Sequence, residues 1–228
     1  MKLIMENLQF ITTADGSRTI YNPQVGENYH SKHGALQESR HVFLKSGLNF
    51  YLEKTQLASI SILEVGFGTG LNFLLSADYC TSHQIKLEYT GIEAFPLPEN
   101  MIADTGYFAF VETAVSEAFL KQYEHALVEE VVLNTSCKLE IIEDKLENFE
   151  TSKLFDVLYF DAFAAVHQPE MWTAEAIARC CKCLKPGGVF VTYAITGNLK
   201  RTMKSLGFTI EKAPGAPGKR EMLRAVKN

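Results

Sequence analysis

The sequence predicts an α/β fold with a mostly parallel sheet and a final antiparallel strand pair, on three observations. From residue 58 onward, strand-like and helix-like segments alternate, which calls for parallel strands joined by right-handed helical crossovers. Phe155-Asp156-Val157-Leu158-Tyr159-Phe160 is almost continuously apolar, as a strand covered on both faces must be. Glu64-Val65-Gly66-Phe67-Gly68-Thr69-Gly70 places three glycines between a strand and the helix that follows it.

Taken in order, residues 1–57 read as an N-terminal extension packed on a domain that spans 58–228. The extension opens with short strand-like pieces, Leu8–Thr12 and Arg18–Tyr21, separated by the Asp15-Gly16 turn. A helix is expected from about Gly34 to Lys45, where Leu36, Val42, Phe43 and Leu44 are apolar. In the main domain, strands are expected at Ser59–Val65, Lys86–Ile92, Lys138–Ile142, Phe155–Phe160 and Val189–Tyr193. Helices are expected from Gly70, across much of 97–131, at Pro169–Cys183 and from Asn198 to Leu206. Phe208–Ile210 and Glu221–Ala225 flank a Pro/Gly-rich loop and form the closing antiparallel pair.

The 228 residues, 46% of them hydrophobic, suffice for a packed core without disulfides. Fibrous, low-complexity and disordered classes are excluded by composition. No apolar run is long enough to span a bilayer, and Glu6 interrupts the N-terminus before a signal core builds, so a soluble, cytoplasmic protein is expected. Cys180-Cys181-Lys182-Cys183 has C-x-x-C spacing. It lacks the second pair a zinc site requires, so no metal ligands are assigned and these thiols are expected to serve as small apolar groups. The net charge is −5, yet the segment from Lys200 to the end carries +6. This is either a solvated surface or a face for an anionic partner.

The glycine turn is neither the dinucleotide fingerprint, because its third glycine arrives one residue early, nor a P-loop, because no Gly-Lys-Ser/Thr follows. Glycine lets the chain turn sharply and brings backbone close to a ligand. Two acids stand where the next strands should end. Glu93 suits the paired hydroxyls of a ribose, and Asp144 suits an adenine amino group. Each acid alone also suits a turn or a helix N-cap. Together, Glu64, Gly66, Gly68, Gly70, Glu93 and Asp144 are expected to form the cofactor site of a class I (Rossmann-like) S-adenosylmethionine-dependent methyltransferase. Asp161 ends the fourth strand, where it would meet the transferred methyl group. It is either a loop anchor or the group that orients an amine and accepts its proton.

The sequence resembles the methyltransferase component of MnmC, which forms 5-methylaminomethyl-2-thiouridine in tRNA. The resemblance rests on Tyr29-His30-Ser31, Gly34–Ser39, Val42–Leu44, Glu64–Phe73, Asp161–Ala164, Gln168–Thr173, Pro186–Gly188 and Gly215–Leu223. The chain departs from the family at Ala165, where Pro is usual, and at Glu143, where Gly is usual. The resemblance implies N-methylation of the 5-aminomethyl group on the wobble uridine, with the tRNA anticodon loop as partner and a separate FAD-dependent oxidase as functional partner. Asp161 and Phe163 are the candidate catalytic residues. An unstacked anticodon base could lie on Phe163, Trp172 or Phe67. Tyr29, Glu38 and Ser39 could close the site from the extension, or simply pack and cap. Lys219 and Arg220 are expected near tRNA phosphates, with Lys200, Arg201 and Lys204 extending the stripe; alternatively, Arg220 pairs with Glu211 or Glu221. A small-molecule amine methyl- or aminopropyltransferase, or a non-catalytic cofactor-binding module, are the competing functions on the same fold.

Overall fold

The structure, a computed structural model, describes residues 7–228. Residues 1–6, which bear on the signal-peptide reading, lie outside the described residues. The extension forms a three-stranded antiparallel sheet of β1 (Gln9–Thr12), β2 (Arg18–Asn22) and β3 (Glu27–Asn28). A helix then runs past its expected end. α1 (Ala35–Ser39) passes into a π-helical stretch, Arg40–Asn49, and on into α2 (Phe50–Thr55), which Gln56 terminates in the left-handed conformation. The π-helical stretch presses against the main sheet at Gly47, where a Cβ would lie 2.8 Å from the Tyr159 ring and 3.0 Å from Val191. Phe43 and Leu48 join Tyr159 and Val191 in one buried cluster.

The main sheet contains β4 (Ser59–Val65), β5 (Lys86–Ile92), β6 (Val131–Asn134), β7 (Cys137–Ile142), β8 (Phe155–Phe160), β9 (Leu184–Thr192), β10 (Phe208–Pro214) and β11 (Glu221–Lys227). Their spatial order is β10-β11-β9-β8-β4-β5-β7-β6. The five strands β4, β5, β7, β8 and β9 are parallel, and both sheet edges are antiparallel. The helices are α3 (Leu71–Ser82), α4 (Glu99–Asp104), α5 (Thr113–Ala126), α6 (Ala174–Cys181) and α7 (Gly197–Ser205). Alternating residues feed two cores. Ile60, Ile62, Val157 and Tyr159 face one side, and Leu63, Val65, Leu158 and Phe160 face the other. Cys180, Cys181 and Cys183 fill the second core beside Ile177 and Met203. Among the described residues, no helix is long and apolar enough to cross a membrane.

Three expected boundaries move for local reasons. Helical material ends at Ala126, and Val131–Asn134 pairs with β7 as an edge strand, its turn closed by the Asn134 side chain accepting the Ser136 N–H at 2.8 Å. The expected helix from Pro169 divides into a 3-10 turn, Pro169–Trp172, and α6, because Thr173 is extended and its hydroxyl caps the Ala176 N–H at 3.1 Å. β9 begins at Leu184, with an irregular register around Asp156.

Asp156, 4% exposed, ties three elements together. Its carboxylate accepts from the Tyr51 hydroxyl at 2.7 Å, the Ser61 N–H at 2.8 Å and hydroxyl at 2.7 Å, and the Lys185 ammonium at 2.9 Å. Burial opposes its ionisation, but these donors outweigh burial and hold its pKa below the ordinary carboxylate value. Stability from this group is therefore present above the unfolded pKa of about 3.9 and is lost as pH falls through the lower folded value. Asp156→Ala is expected to cost about 3 kcal/mol at pH 7, roughly 6–12 °C in melting temperature, with a narrower gap from wild type at pH 3. Thermal unfolding of both proteins at the two pH values checks this.

Candidate active site

The chain leaves β4 for β5 and β7 on one side, then returns to lay β8 on the other side of β4. The C-terminal ends of β4 and β8 therefore flank the point where strand order reverses, which is where ligands enter open α/β sheets. The glycine turn and Asp161 meet there. Gly66, Gly68 and Gly70 all take left-handed φ values of 86°, 53° and 75°. A Cβ on Gly66 would lie 2.6 Å from the Asp161 carbonyl oxygen. Gly91 clears space for Phe67, whose ring would lie 2.5 Å from a Cβ at that position. Phe67 thus turns inward among Phe73, Tyr89 and Phe119, and at 3% exposed it offers no face to a base.

Beneath the turn, Asn72 bridges two acids. Its side-chain amide donates to Glu64 Oε1 and to Asp161 Oδ2, each at 2.8 Å. The Tyr89 hydroxyl donates to Glu64 Oε2 at 2.7 Å. Glu64 is fully buried with both oxygens engaged, so it supports Asn72 and does not line the opening, contrary to the direct cofactor contact expected from its place in the motif. Burial, together with the charge of Asp161, pushes Glu64 well above its usual pKa. Asp161 is half-buried, and burial and the nearby Glu38 carboxylate push it up to about 8. The Asn72 Oδ1 is buried without a partner among the described residues.

Glu93 ends β5 with Oε2 accepting the Gly68 N–H at 2.9 Å and Oε1 accepting the Phe95 N–H at 3.0 Å. The Ala94 N–H also bonds this carboxylate, which has about four acceptor positions, so acceptor capacity remains for a hydroxyl. Asp144 lies on the same edge beyond β7. It is exposed, and its Oδ1 accepts from the Lys145 N–H at 2.7 Å and the Asn148 side chain at 2.8 Å, the arrangement of a turn cap. Its Oδ2 accepts no hydrogen bond among the described residues.

The extension closes over this edge. Tyr29 packs edge-on against Phe163, with ring centroids 5.2 Å apart, and stands close enough to Gly68 that a Cβ there would lie 3.1 Å from its ring. Burial, reinforced by the Glu93 charge, raises the Tyr29 pKa. Glu27 accepts the Ala164 N–H at 2.7 Å, and buried His30 pairs with the Thr69 hydroxyl at 2.7 Å. Burial lowers His30 to about 4, so it is neutral at pH 7. Glu38 accepts the Ser31 N–H at 2.9 Å and the Lys219 ammonium at 2.6 Å. Lys219 also lies 3.9 Å above the Tyr193 ring, whose hydroxyl donates to the Ala162 carbonyl at 2.9 Å.

Several sequence expectations change here. Lys219 is held at the site by Glu38 and Tyr193, 181 residues distant from Glu38 in sequence, and is not a free surface cation for phosphates. Arg220 is exposed, and neither expected acid takes it: Glu211 pairs with Arg224 at 2.7 Å, and Glu221 lies 3.9 Å from Lys212. Ser39 is 1% exposed and lines no opening. Trp172 donates to the Phe163 carbonyl at 2.7 Å and packs edge-on against Phe160 and Tyr193, so it sets the backbone under Phe163 and is not itself an open platform. Asn72, His30 and Glu27 had no assignment from sequence. The signal for the first two was their place in the Glu64–Phe73 and Tyr29-His30-Ser31 segments. Glu27 had none.

The charges beside Asp161 act in opposite directions, Glu38 and more weakly Glu27 raising its pKa and Lys219 lowering it. Glu38→Gln should therefore move the Asp161 titration below about 8, and Lys219→Met should move it above. Carbon NMR of labelled aspartate carboxyls reads both shifts, and shifts of the same sign would contradict this arrangement.

A glycine-rich loop at the switch point whose Phe67 and Thr69 side chains are buried, a carboxylate at the next strand end with acceptor capacity to spare, and a buried amide oxygen with no partner among the described residues fit a nucleoside-bearing, amine-bearing cofactor. This fold and cradle define the class I methyltransferase architecture. A family profile described as S-adenosyl-L-methionine-dependent methyltransferase matches residues 110–228, and the chain belongs to that family. It is 31% identical over 234 residues to the tRNA 5-methylaminomethyl-2-thiouridine biosynthesis bifunctional protein MnmC of Magnetococcus marinus, covering 96% of this chain and 35% of that protein. The same-named protein of Pseudomonas fluorescens is 32% identical over 209 residues, covering 86% of this chain and 31% of its own length. The chain thus spans about a third of the length of the curated relatives it matches. The crystal structure of MNMC2 from Aquifex aeolicus superposes with a TM-score of 0.75 at 22% identity, covering 96% of this chain and 70% of that one, and shares the fold.

Proposed function

We propose that the protein transfers a methyl group from S-adenosylmethionine to the 5-aminomethyl nitrogen of a wobble uridine in tRNA. The observation that carries this reading is Asp161. It is a half-buried carboxylate at the switch point, with Oδ2 fixed by Asn72 and Oδ1 accepting no hydrogen bond among the described residues. In this reading Gly66, Gly68 and Gly70 cradle the cofactor, Glu93 takes the ribose hydroxyls and Asp144 Oδ2 takes the adenine amino group. The bound cofactor supplies an electrophilic methyl group on a positively charged sulfur. Asp161 Oδ1 accepts a hydrogen bond from the substrate amine, aims its lone pair and takes the proton released on methylation. Phe163, braced by Tyr29 and Trp172, gives the uridine ring a face to stack on. A tRNA substrate implies a cytoplasmic location, and an FAD-dependent oxidase is the functional partner that goes with it.

Methyl-labelled cofactor tests the reading when offered with tRNA carrying the aminomethyl group, with the free nucleoside and with polyamines. Label entering tRNA well above either small amine is the expected result. Preferential labelling of a free amine would favour a small-molecule transferase, and failure to bind the cofactor at all would favour a non-catalytic module.

A further inference from the structure

With Lys219 committed to Glu38, the positive balance of the C-terminal segment collects elsewhere. Lys200, Arg201, Lys204 and Lys212 line one groove between α7 and β10, floored by Gly197 and Ile210. The groove follows from two local patterns. Leu199 and Met203 turn one face of α7 into the second core, which leaves Arg201 and Lys204 exposed. On β10, Phe208 and Ile210 face α7, and strand alternation puts Lys212 on that same face. The acids nearby do not fill the groove. Glu211 is on the opposite face of β10 and is held by Arg224, and Glu221 approaches Lys212 only to 3.9 Å. One Arg201 nitrogen donates to the Asn198 side chain.

The groove opens on the same sheet edge as Asp161. Lys212 pairs in register with Leu223, and Leu223 with Thr192, the last residue of β9. Tyr159 pairs with Val191, so Asp161 is level with Tyr193, one residue beyond that end. Three strand spacings separate β8 from β10, about 14 Å. That is a few nucleotides along a single strand.

We propose that this groove takes the phosphate backbone of the RNA whose base enters the site at Asp161. The inference rests on the tRNA reading above. Four cations in one groove match a polyanion that tracks along it, and such contacts fix position without reading sequence. Exposed Lys121 on α5 serves as the control for losing a surface cation outside the groove, matched in charge to each single groove variant.

The test is binding of an unmodified tRNA transcript at several salt concentrations. Wild type, Lys121→Ala and the triple variant Lys200→Ala/Lys204→Ala/Lys212→Ala are compared. The triple variant should lose roughly ten- to a hundredfold in affinity at low salt, and its log–log salt slope should shrink by about 2. Lys121→Ala should match wild type. Melting temperatures of both variants close to wild type establish that the fold is intact; Lys200→Ala, Lys204→Ala and Lys212→Ala made singly, each expected to shrink the slope by roughly 0.7–0.9, serve if the triple variant melts early. Tight wild-type binding with an unchanged slope in the groove variants overturns the groove and leaves the tRNA reading standing. No wild-type binding to tRNA overturns both.

Discussion

Asp161→Asn should slow methyl transfer by roughly a hundred- to ten-thousandfold, the range that a positioned proton acceptor contributes, while cofactor affinity stays within a few fold. The substitution keeps the shape of the side chain and its place beside Asn72, and it removes the group that accepts the proton. It also removes an ionisation. With the Asp161 pKa pushed up to about 8 by burial and by Glu38, the carboxylate form grows as pH rises through that value. In wild type kcat/KM should climb over that range, and in Asp161→Asn only the limb from the substrate amine should remain. Steady-state kinetics from pH 6 to 10, alongside calorimetric cofactor binding, check both statements. A variant with near-normal turnover would remove Asp161 from the chemistry.

Gly66→Ala is expected to abolish cofactor binding and to lower stability by about 2–4 kcal/mol, or roughly 5–15 °C in melting temperature. Gly66 sits at φ 86°, and an added Cβ would lie 2.6 Å from the Asp161 carbonyl. That oxygen cannot move aside cheaply, because the Asp161 N–H is anchored to the Val65 carbonyl at 2.9 Å. Gly106 provides the contrast. Its φ is 76°, but no atom lies within 4 Å of the position a Cβ would take. Gly106→Ala should therefore show only the conformational cost of a left-handed alanine, about 1–2 kcal/mol, and keep its cofactor response. Melting curves of both variants, with and without S-adenosylmethionine, separate backbone strain from the collision at the site.

What the sequence made legible were features with a short period or a local cause. β4, β5 and β8 follow from apolar runs bounded by turns, and the left-handed turn after β4 follows from three closely spaced glycines. β10 and β11 follow from two apolar runs around a Pro/Gly loop. The features that escaped depend on partners far away in the chain. Lys219 reads as a surface cation until the fold brings Glu38 beside it. Phe67 reads as either a platform for a base or a core residue until Gly91 opens a space for its ring. The helix through Arg40–Asn49 continues because Gly47 lets it lie against Tyr159, a contact no local propensity records. Asn72 carries no signature of its own as a helix residue, and its role appears only when β4 and β8 place Glu64 and Asp161 on either side of it. The acids Glu93, Asp144 and Asp161 were recoverable because each follows a strand that ends at the same edge.

Mass spectrometry of nucleosides from aminomethyl-bearing tRNA, after incubation with the protein and S-adenosylmethionine, reads methyl transfer to the wobble base itself. The wobble aminomethyluridine should gain one CH2 unit on its side-chain nitrogen, with almost none gained in the Asp161→Asn reaction. An unchanged wobble nucleoside in a protein that binds the cofactor, or a methyl group found on a different nucleoside, would contradict the proposed function.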